Sequence, residues 1–317
     1  MIDSKTLLDF QAKIRQRILY SHIKPEEEGM LPPDYLALHF PRFDRAGWLQ
    51  AIAAGLVRIN SETALPDQPL HRHDCVAYYP QEEPEPEAEL HFRCCYLDDD
   101  IAVLEKPGNL CIHPTGPFYR HTLWALAGAQ LGELHFISRL DRETSGLVLA
   151  ARSRKMAAQM DPRHFSIRKE YTAWVLGEFP QSLRAKGWMI PNPDKTSRKQ
   201  LFVPEDDPMP EGGSWADTEF YRESLLPDGM SAVRAILHTG RKHQIRATLS
   251  SLGYPLAGDK LYGTEESLFA KIKAQSLTDA DYARLRLRRQ GLHAALLEFR
   301  HPRRGFLIRC ESEAHFR

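Results

Sequence analysis

A chain of 317 residues that is 42% hydrophobic has room for two domains and a substantial core. Its 42 acidic and 42 basic side chains cancel, which argues against a generic polyanion binder. No apolar run approaches the ~18 residues a membrane-spanning helix needs, and the N-terminus lacks the apolar stretch and cleavage site of a secretion signal.

The charges are nonetheless segregated. PEEEG, QEEPEPEAE and PEDDPMPE are acidic, whereas RKQ after KTS, GRKHQIR and Arg284–Arg289 are basic. Such sorting can leave a positive groove on a neutral protein. The five cysteines, Cys75, Cys94, Cys95, Cys111 and Cys310, form no CxxC pair and imply a reduced, cytoplasmic protein.

In chain order, residues 1–30 form an N-terminal extension with an amphipathic helix around Leu7–Tyr20. A small unit follows over residues 31–79. There Asp44 suits an N-cap for a helix through Ala54, with Trp48, Leu49, Ile52 and Ala53 as its apolar face. Gly55 ends that helix. Leu56–Ile59 reads as a strand, Asn60-Ser61 as a turn and Asp74–Tyr78 as a return strand. Residues 80–90 carry the Pro/Glu stretch QEEPEPEAE, an extended acidic linker.

Residues 91–317 make up the larger unit. Ile101–Leu104 is a strand entering the Lys106-Pro107-Gly108 turn. Thr122–Leu131 reads as a helix, Leu147–Ala151 as a strand, and Ser153 caps a helix through Met160. Tyr171–Leu176, Ala216–Tyr221, Ser231–His238 and Leu292–Phe299 are further strands. Strands and helices without regular βαβ alternation indicate an α+β fold. No phosphate-binding glycine loop or internal repeat is present. His71-x-His73 lacks partner ligands, so no metal site is expected.

One segment raises a chemical question. ISRLDRETSG, residues 137–146, sets Asp141 between Arg139 and Arg142 ahead of an apolar strand. Flanking cations favour the ionised carboxylate, which suits a nucleophile or electrostatic stabiliser rather than a general acid. Glu143 is a poor second carboxylate for glycosidic hydrolysis, because residues two apart on one strand face cannot flank a sugar from opposite sides. By spacing alone, a surface ion-pair loop remains the simpler reading.

The segment SRLDRETSGLVLAARS resembles the H-R-L-D-R-x-T-S-G-L signature of the RluA-type pseudouridine synthases. LEKPGNLCIHP, RKEYTAWVLG, HTGRKHQIRATLSSLGYPLAGDKLYG and LHAALLEFRHP resemble the family's other segments, in family order, over nearly all of residues 95–310. Residues 31–79 resemble the S4 RNA-binding module, a small α/β unit whose main cations here are Arg42, Arg45, Arg58 and Arg72. The resemblance implies a pseudouridine synthase fold, a mixed and largely antiparallel central sheet with helices. It implies that uridines in ribosomal or transfer RNA are isomerised without cofactor or metal, by a cytoplasmic monomer.

Asp141 falls on the family's essential aspartate, and Arg139 on the arginine that approaches the RNA and helps hold the target nucleotide out of the stack. Tyr171 matches the tyrosine that stacks on the base, and Ile245 an apolar residue of the base pocket. Arg246 matches the arginine that pairs with the catalytic carboxylate. Arg241 and Lys242 are phosphate contacts, and His243 is a structural hydrogen-bonder. Ser138 departs from the family's histidine. The alternative reading is a non-catalytic RNA-binding or RNA-chaperone protein on the same scaffold, for which an intact Asp141, Tyr171 and Arg246 set would be superfluous.

Overall fold

The computed structural model describes residues 4–161, 163–193, 199–263, 268, 271–272 and 276–316. Two compact units emerge, Ser4–Pro86 and Glu87–Arg317.

The first unit begins with helix α1 (Ser4–Arg15), after which the chain turns into strand β1 (Leu19–His22). The helix expected to reach Tyr20 stops at Arg15, because Leu19–His22 pairs antiparallel with β4 (Cys75–Tyr78). Residues 19–22, placed by the sequence in an extension, are therefore an edge strand of the small unit's own sheet. Helices α2 (Pro32–His39) and α3 (Arg45–Ala53) pack beside that sheet, whose order is β1-β4-β2-β3 with β2 at Val57–Ile59 and β3 at Glu62–Thr63. Asp44 caps α3 by accepting from the Gly47 amide at 2.8 Å. The buried face of α3 is Trp48, Ala51 and Ile52, at i, i+3 and i+4, so Ala51 replaces Ala53 in the expected stripe. Trp48 is fully enclosed and meets Tyr78 edge-to-face, with ring centroids 4.9 Å apart. Asn60 and Ser61 both adopt positive φ, the geometry of a two-residue turn joining β2 to β3.

The second unit is built on an eleven-stranded sheet. Its main path runs β11 (Gln200–Pro204), β10 (Ser182–Pro191), β12 (Ser214–Leu226), β13 (Met230–Leu237), β9 (Ile167–Leu176), β14 (Leu292–Arg300), β8 (Ser145–Ala151), β6 (Ile101–Lys106) and β5 (Arg93–Leu97). Strand β15 (Leu307–Glu311) adds to β14, and β7 (His135–Phe136) to β8. The unit also carries helices α4 (Leu123–Leu131), α5 (Arg154–Gln159), α6 (Gln244–Ser251) and α7 (Asp279–Leu285). Thr122 and Ser153 cap α4 and α5 through their hydroxyls. In this unit, sequence reading missed β5, β7, β10, β11, β15 and α7. Of the expected basic run RKQ, residues 198–200, position 198 lies outside the described residues.

One joint in this sheet matters for everything that follows. All the strand pairs are antiparallel except β8 with β14, which run parallel and match at only Ser145 with His293 and Gly146 with Ala294. The joint divides the sheet into a half carrying β5–β8 and a half carrying β9–β13. At the joint Gly146 has φ +107°, and a side chain there would sit 2.3 Å from the Ala294 carbonyl oxygen. Immediately beyond, the pairing of β14 with β9 shifts register between Ala294 and Leu296, a bulge opposite Tyr171.

Replacing Gly146 by alanine combines a strained backbone with a backbone clash. We expect Gly146→Ala to cost about 3 kcal/mol or more in urea unfolding. A loss under 0.5 kcal/mol would show that the joint yields.

Candidate active site

The N-terminal end of β8 and the loop before it carry Asp141, and the other half of the sheet supplies its surroundings. A small cavity of about 70 Å³ is lined by Arg139, Asp141, Tyr171, Arg241, Ile245 and Arg246, with Leu140, Thr144, Leu237, His243, Gln244 and Leu292 completing the wall. Six of the seven residues singled out from the sequence thus converge on one place. Lys242 is exposed and lies outside the lining.

Arg246 organises the centre. It is only 8% exposed, and its Nε and NH2 form a fork onto both oxygens of Asp259, at 2.8 and 2.9 Å. Its NH1 donates to Asp141 Oδ2 at 2.5 Å. Burial alone would disfavour the guanidinium charge, but Asp259 and Asp141 outweigh it and raise its pKa. Asp259, 1% exposed, also accepts the Leu261 and Tyr262 amides. The cation that pairs with Asp141 is therefore Arg246, not its sequence neighbours. Arg139 is exposed, and Arg142 turns away to lie over the Phe118 ring, its guanidinium carbon 5.4 Å from the centroid. The chain bends at Arg142 and Glu143, where the Thr144 amide donates to the Asp141 carbonyl at 3.2 Å, and this turn carries Arg142 away from the carboxylate it adjoins in sequence.

Asp141 keeps 31% of its side chain exposed, so one carboxylate oxygen is available at the cavity while the other is held. His243 Nε2 stands 3.6 Å from the free oxygen, and its Nδ1 meets the Tyr262 hydroxyl at 2.9 Å. Burial drives its pKa down to about 4, with Asp141 opposing. A neutral ring at physiological pH fits the structural role assigned from sequence. His243 also sits at φ +55°, the left-handed entry to α6 that aims Ile245 and Arg246 inward. Gln244 fixes the preceding turn. Its carbonyl oxygen accepts from Thr239 Oγ1 and the Arg241 amide, and its amide donates to the Asp217 carbonyl and Thr218 Oγ1.

Tyr171 is half-buried on β9, and burial together with the nearby Asp141 charge raises its pKa. It is a hydroxyl donor at any physiological pH and presents its ring to the cavity.

The Asp141 loop is tied at every following residue. Lys106, 0% exposed, donates to the carbonyls of Pro107, Leu110 and Arg142 at 2.8, 2.9 and 3.1 Å. Burial lowers its pKa to about 7, but three carbonyls around the nitrogen call for all three ammonium protons. Glu143 pairs with Lys260, Thr144 accepts from Gln290, and Ser145 meets His293 Nδ1 at 2.8 Å. Glu143 is thereby consumed as an ion-pair partner. Asp259, Lys106, Gln290 and His293 were all missed as site residues. Of these, Lys106, Asp259 and His293 stand in the segments LEKPGNLCIHP, HTGRKHQIRATLSSLGYPLAGDKLYG and LHAALLEFRHP that resemble the family's, whereas Gln290 stands in none.

A metal-ligand geometry arises elsewhere. Asp98, Asp100 and His301 place one ligand atom each within 4.8 Å of one another. Both His301 nitrogens are already engaged, Nδ1 by the Arg303 and Arg304 amides and Nε2 by Asp98 Oδ2 at 2.9 Å. The cluster is an internal hydrogen-bond hub rather than a ligand set.

This arrangement matches known proteins. Residues 100–251 match the sequence profile of the RNA pseudouridylate synthase family. The chain is 30% identical over 294 residues to ribosomal large subunit pseudouridine synthase D of Xanthomonas campestris, spanning 87% of this chain and 83% of that one. It is 33% identical over 222 residues to the mitochondrial tRNA pseudouridine(32) synthase of Saccharomyces cerevisiae, covering 68% of this chain and 47% of that one. In structure it is similar to human RNA pseudouridylate synthase domain containing 1, with a TM-score of 0.56 at 21% identity, covering 73% and 86% of the two chains. The fold is that of the pseudouridine synthases. The chain belongs to the RNA pseudouridine synthase family, of the RluA type its motifs resemble. No helix among the described residues is long and apolar enough to cross a membrane.

Two outcomes follow from this chemistry. Lys106→Met should leave the Pro107 and Leu110 carbonyls without their donor, and the Arg142 carbonyl with only the Leu110 amide, lowering stability by about 3 kcal/mol in urea unfolding; a neutral result would remove the lysine from the loop's support. For His243, the folded pKa of about 4 lies below an unfolded value near ~6.5. The unfolded state then binds more protons between those pH values, so stability falls as pH drops through that window. Wild type should lose up to about 2 kcal/mol relative to His243→Gln between pH 6.5 and 4. Parallel pH–stability curves would contradict the neutral ring.

Proposed function

We propose that this RNA pseudouridine synthase acts through Asp141 on a uridine turned out of the RNA stack into the cavity. The N1–C1′ bond breaks, the base rotates, a C5–C1′ bond forms, and the hydrogen on C5 passes to solvent. The observation that carries the reading is the Asp141 carboxylate, fixed by Arg246 on one oxygen and open to the cavity on the other. A pre-oriented carboxylate of this kind suits attack at the ribose or base without a further activating group. Whether it attacks C1′, adds to C6 or removes a ribose proton, the same positioned oxygen serves.

Tyr171 and Ile245 offer a ring and an apolar wall to the base. Arg139, exposed at the cavity mouth, takes the place vacated in the helix, at an unstacking cost of a few kcal/mol that RNA contacts elsewhere must offset. Arg241 and Lys242 face the phosphates. Arg241 is steadied by donating Nε to the Trp215 carbonyl at 2.8 Å, which leaves the fork of its guanidinium outward.

Ribosomal or transfer RNA is the substrate class we favour, as the relatives' names suggest. Residues 31–79 act as an accessory RNA contact of low charge. Arg42 is paired with Glu83 and Arg45 with Asp34, so Arg58, stacked on Tyr79, and Arg72 are the cations it has to offer. We read the protein as a monomer, and the five unpaired cysteines fit the cytoplasm.

Asp141→Asn should fold and bind RNA as wild type does, yet release tritium from C5-tritiated uridine RNA at least about 100-fold more slowly. Turnover above that level would remove Asp141 as the reacting group. The double variant Arg241→Ala/Lys242→Ala should flatten the log–log salt dependence of RNA affinity by about 1.4 to 1.8. An unchanged slope would move the phosphate contacts elsewhere.

A further inference from the structure

Asp141 stands on one half of the sheet, and Tyr171, Ile245 and Arg246 on the other. The halves meet at the parallel joint of β8 and β14, where only two residue pairs are in register. Backbone pairing there is sparse, so something else must hold the distance between the nucleophile and its surroundings. The side chain inside that joint is His293, 2% exposed, and no role in the proposed chemistry uses it.

Its ring links both sides. Nδ1 meets Ser145 Oγ at 2.8 Å, four residues after Asp141, and Nε2 meets Ser312 Oγ at 3.0 Å. Ser312 Oγ in turn donates to Glu105 Oε1 at 2.6 Å, and Glu105 Oε2 accepts from Arg93 Nε at 2.7 Å. The charges fix the direction of this chain. Ionised Glu105 can only accept, so the Ser312 proton points to it and the Ser312 lone pair must take a proton from His293 Nε2. A neutral ring is then left with an accepting Nδ1, which receives the Ser145 hydroxyl proton. Burial lowers the His293 pKa, with Glu105 opposing, which favours that neutral tautomer.

We propose that His293 is a positioning residue. Its ring, oriented by Ser312 and Glu105, holds Ser145 and thereby sets the Asp141 loop against Arg246 and Tyr171. This inference rests on Asp141 being the reacting group. It separates His293 from Lys260 and Gln290, which also touch the loop, because His293 alone lies within the two-residue joint and is itself oriented from β6 on the Asp141 side.

The test is single-turnover tritium release from C5-tritiated ribosomal or transfer RNA, whichever wild type modifies, with RNA affinity and thermal melting measured alongside. His293→Ala and Ser145→Ala should each slow release about 30-fold, in keeping with the rate cost of a misplaced reacting group. Affinity for RNA should stay within twofold. His293→Asn keeps an acceptor near the Nδ1 position and should recover most of the rate. His293→Gln keeps only the Ser312 side and should not. A ring that merely fills space would be replaced better by the larger glutamine, so recovery by Gln and not Asn would overturn the proposal. Rates within twofold of wild type for Ser145→Ala, or losses that track RNA affinity, would overturn it too. If His293→Ala fails to melt cooperatively, Ser145→Ala decides. Asp141→Asn runs in parallel. Activity in that variant would defeat the site reading itself, whereas an inactive Asp141→Asn beside a normal Ser145→Ala would defeat only the role of His293.

Discussion

A guanidinium removed from water must find carboxylates or it will not stay charged at tolerable cost. Arg246 meets that demand in a way that determines the rest of the site. Asp259 satisfies it with a two-pronged contact, and two backbone amides hold Asp259 in place. Because that pair already neutralises itself, Asp141 arrives as a second carboxylate on the same cation. It is oriented by one strong hydrogen bond, and its charge is not fully consumed. A loop aspartate free in solvent would wander. An aspartate enclosed by several donors would be inert. The geometry here lies between those limits, with a fixed carboxylate and one oxygen facing the cavity.

The second organising element is the division of labour across the sheet. The half with β6 and β8 brings the Asp141 loop, whose residues from Arg142 to Ser145 are tied one by one to Lys106, Lys260, Gln290 and His293. The half with β9, β13 and α6 brings the walls of the pocket. The bulge opposite Tyr171 and the absent side chain at Gly146 are both concentrated where the two halves join, so the irregularities of the sheet lie next to its chemistry.

Much of this was legible in the sequence, for identifiable reasons. Caps such as Asp44, Thr122 and Ser153 announce helix starts by local hydrogen bonding, and runs such as Ile101–Leu104 announce buried strands. The Asp141, Tyr171 and Arg246 set came from motif resemblance, which carries three-dimensional information that spacing lacks. What could not be read was partnership across long separations. Lys106 looks like a surface lysine until three carbonyls from two segments enclose it. Arg246 and Asp259 are 13 residues apart and face one another only once α6 and the following turn are folded. The flanking-cation account of Asp141 missed its partner because Arg246 lies 105 residues away and reaches the carboxylate only in the folded chain. The strand Ser182–Pro191 was overlooked because its outward face carries Arg184 and Lys186 rather than a continuous apolar run.

The position of β14 has a consequence for synthesis. It lies in the middle of the sheet but begins only at Leu292, and the partners it joins are far earlier: His293 touches a serine 148 residues upstream, and Ser312 a glutamate 207 residues upstream. While the chain is being made, both halves can acquire helices and hairpins of their own, but the strand that brings them together has not yet emerged. Such non-local closure is slow and comes late. A nascent chain therefore keeps the Asp141 loop and the walls of its pocket on separate halves until β14 has emerged.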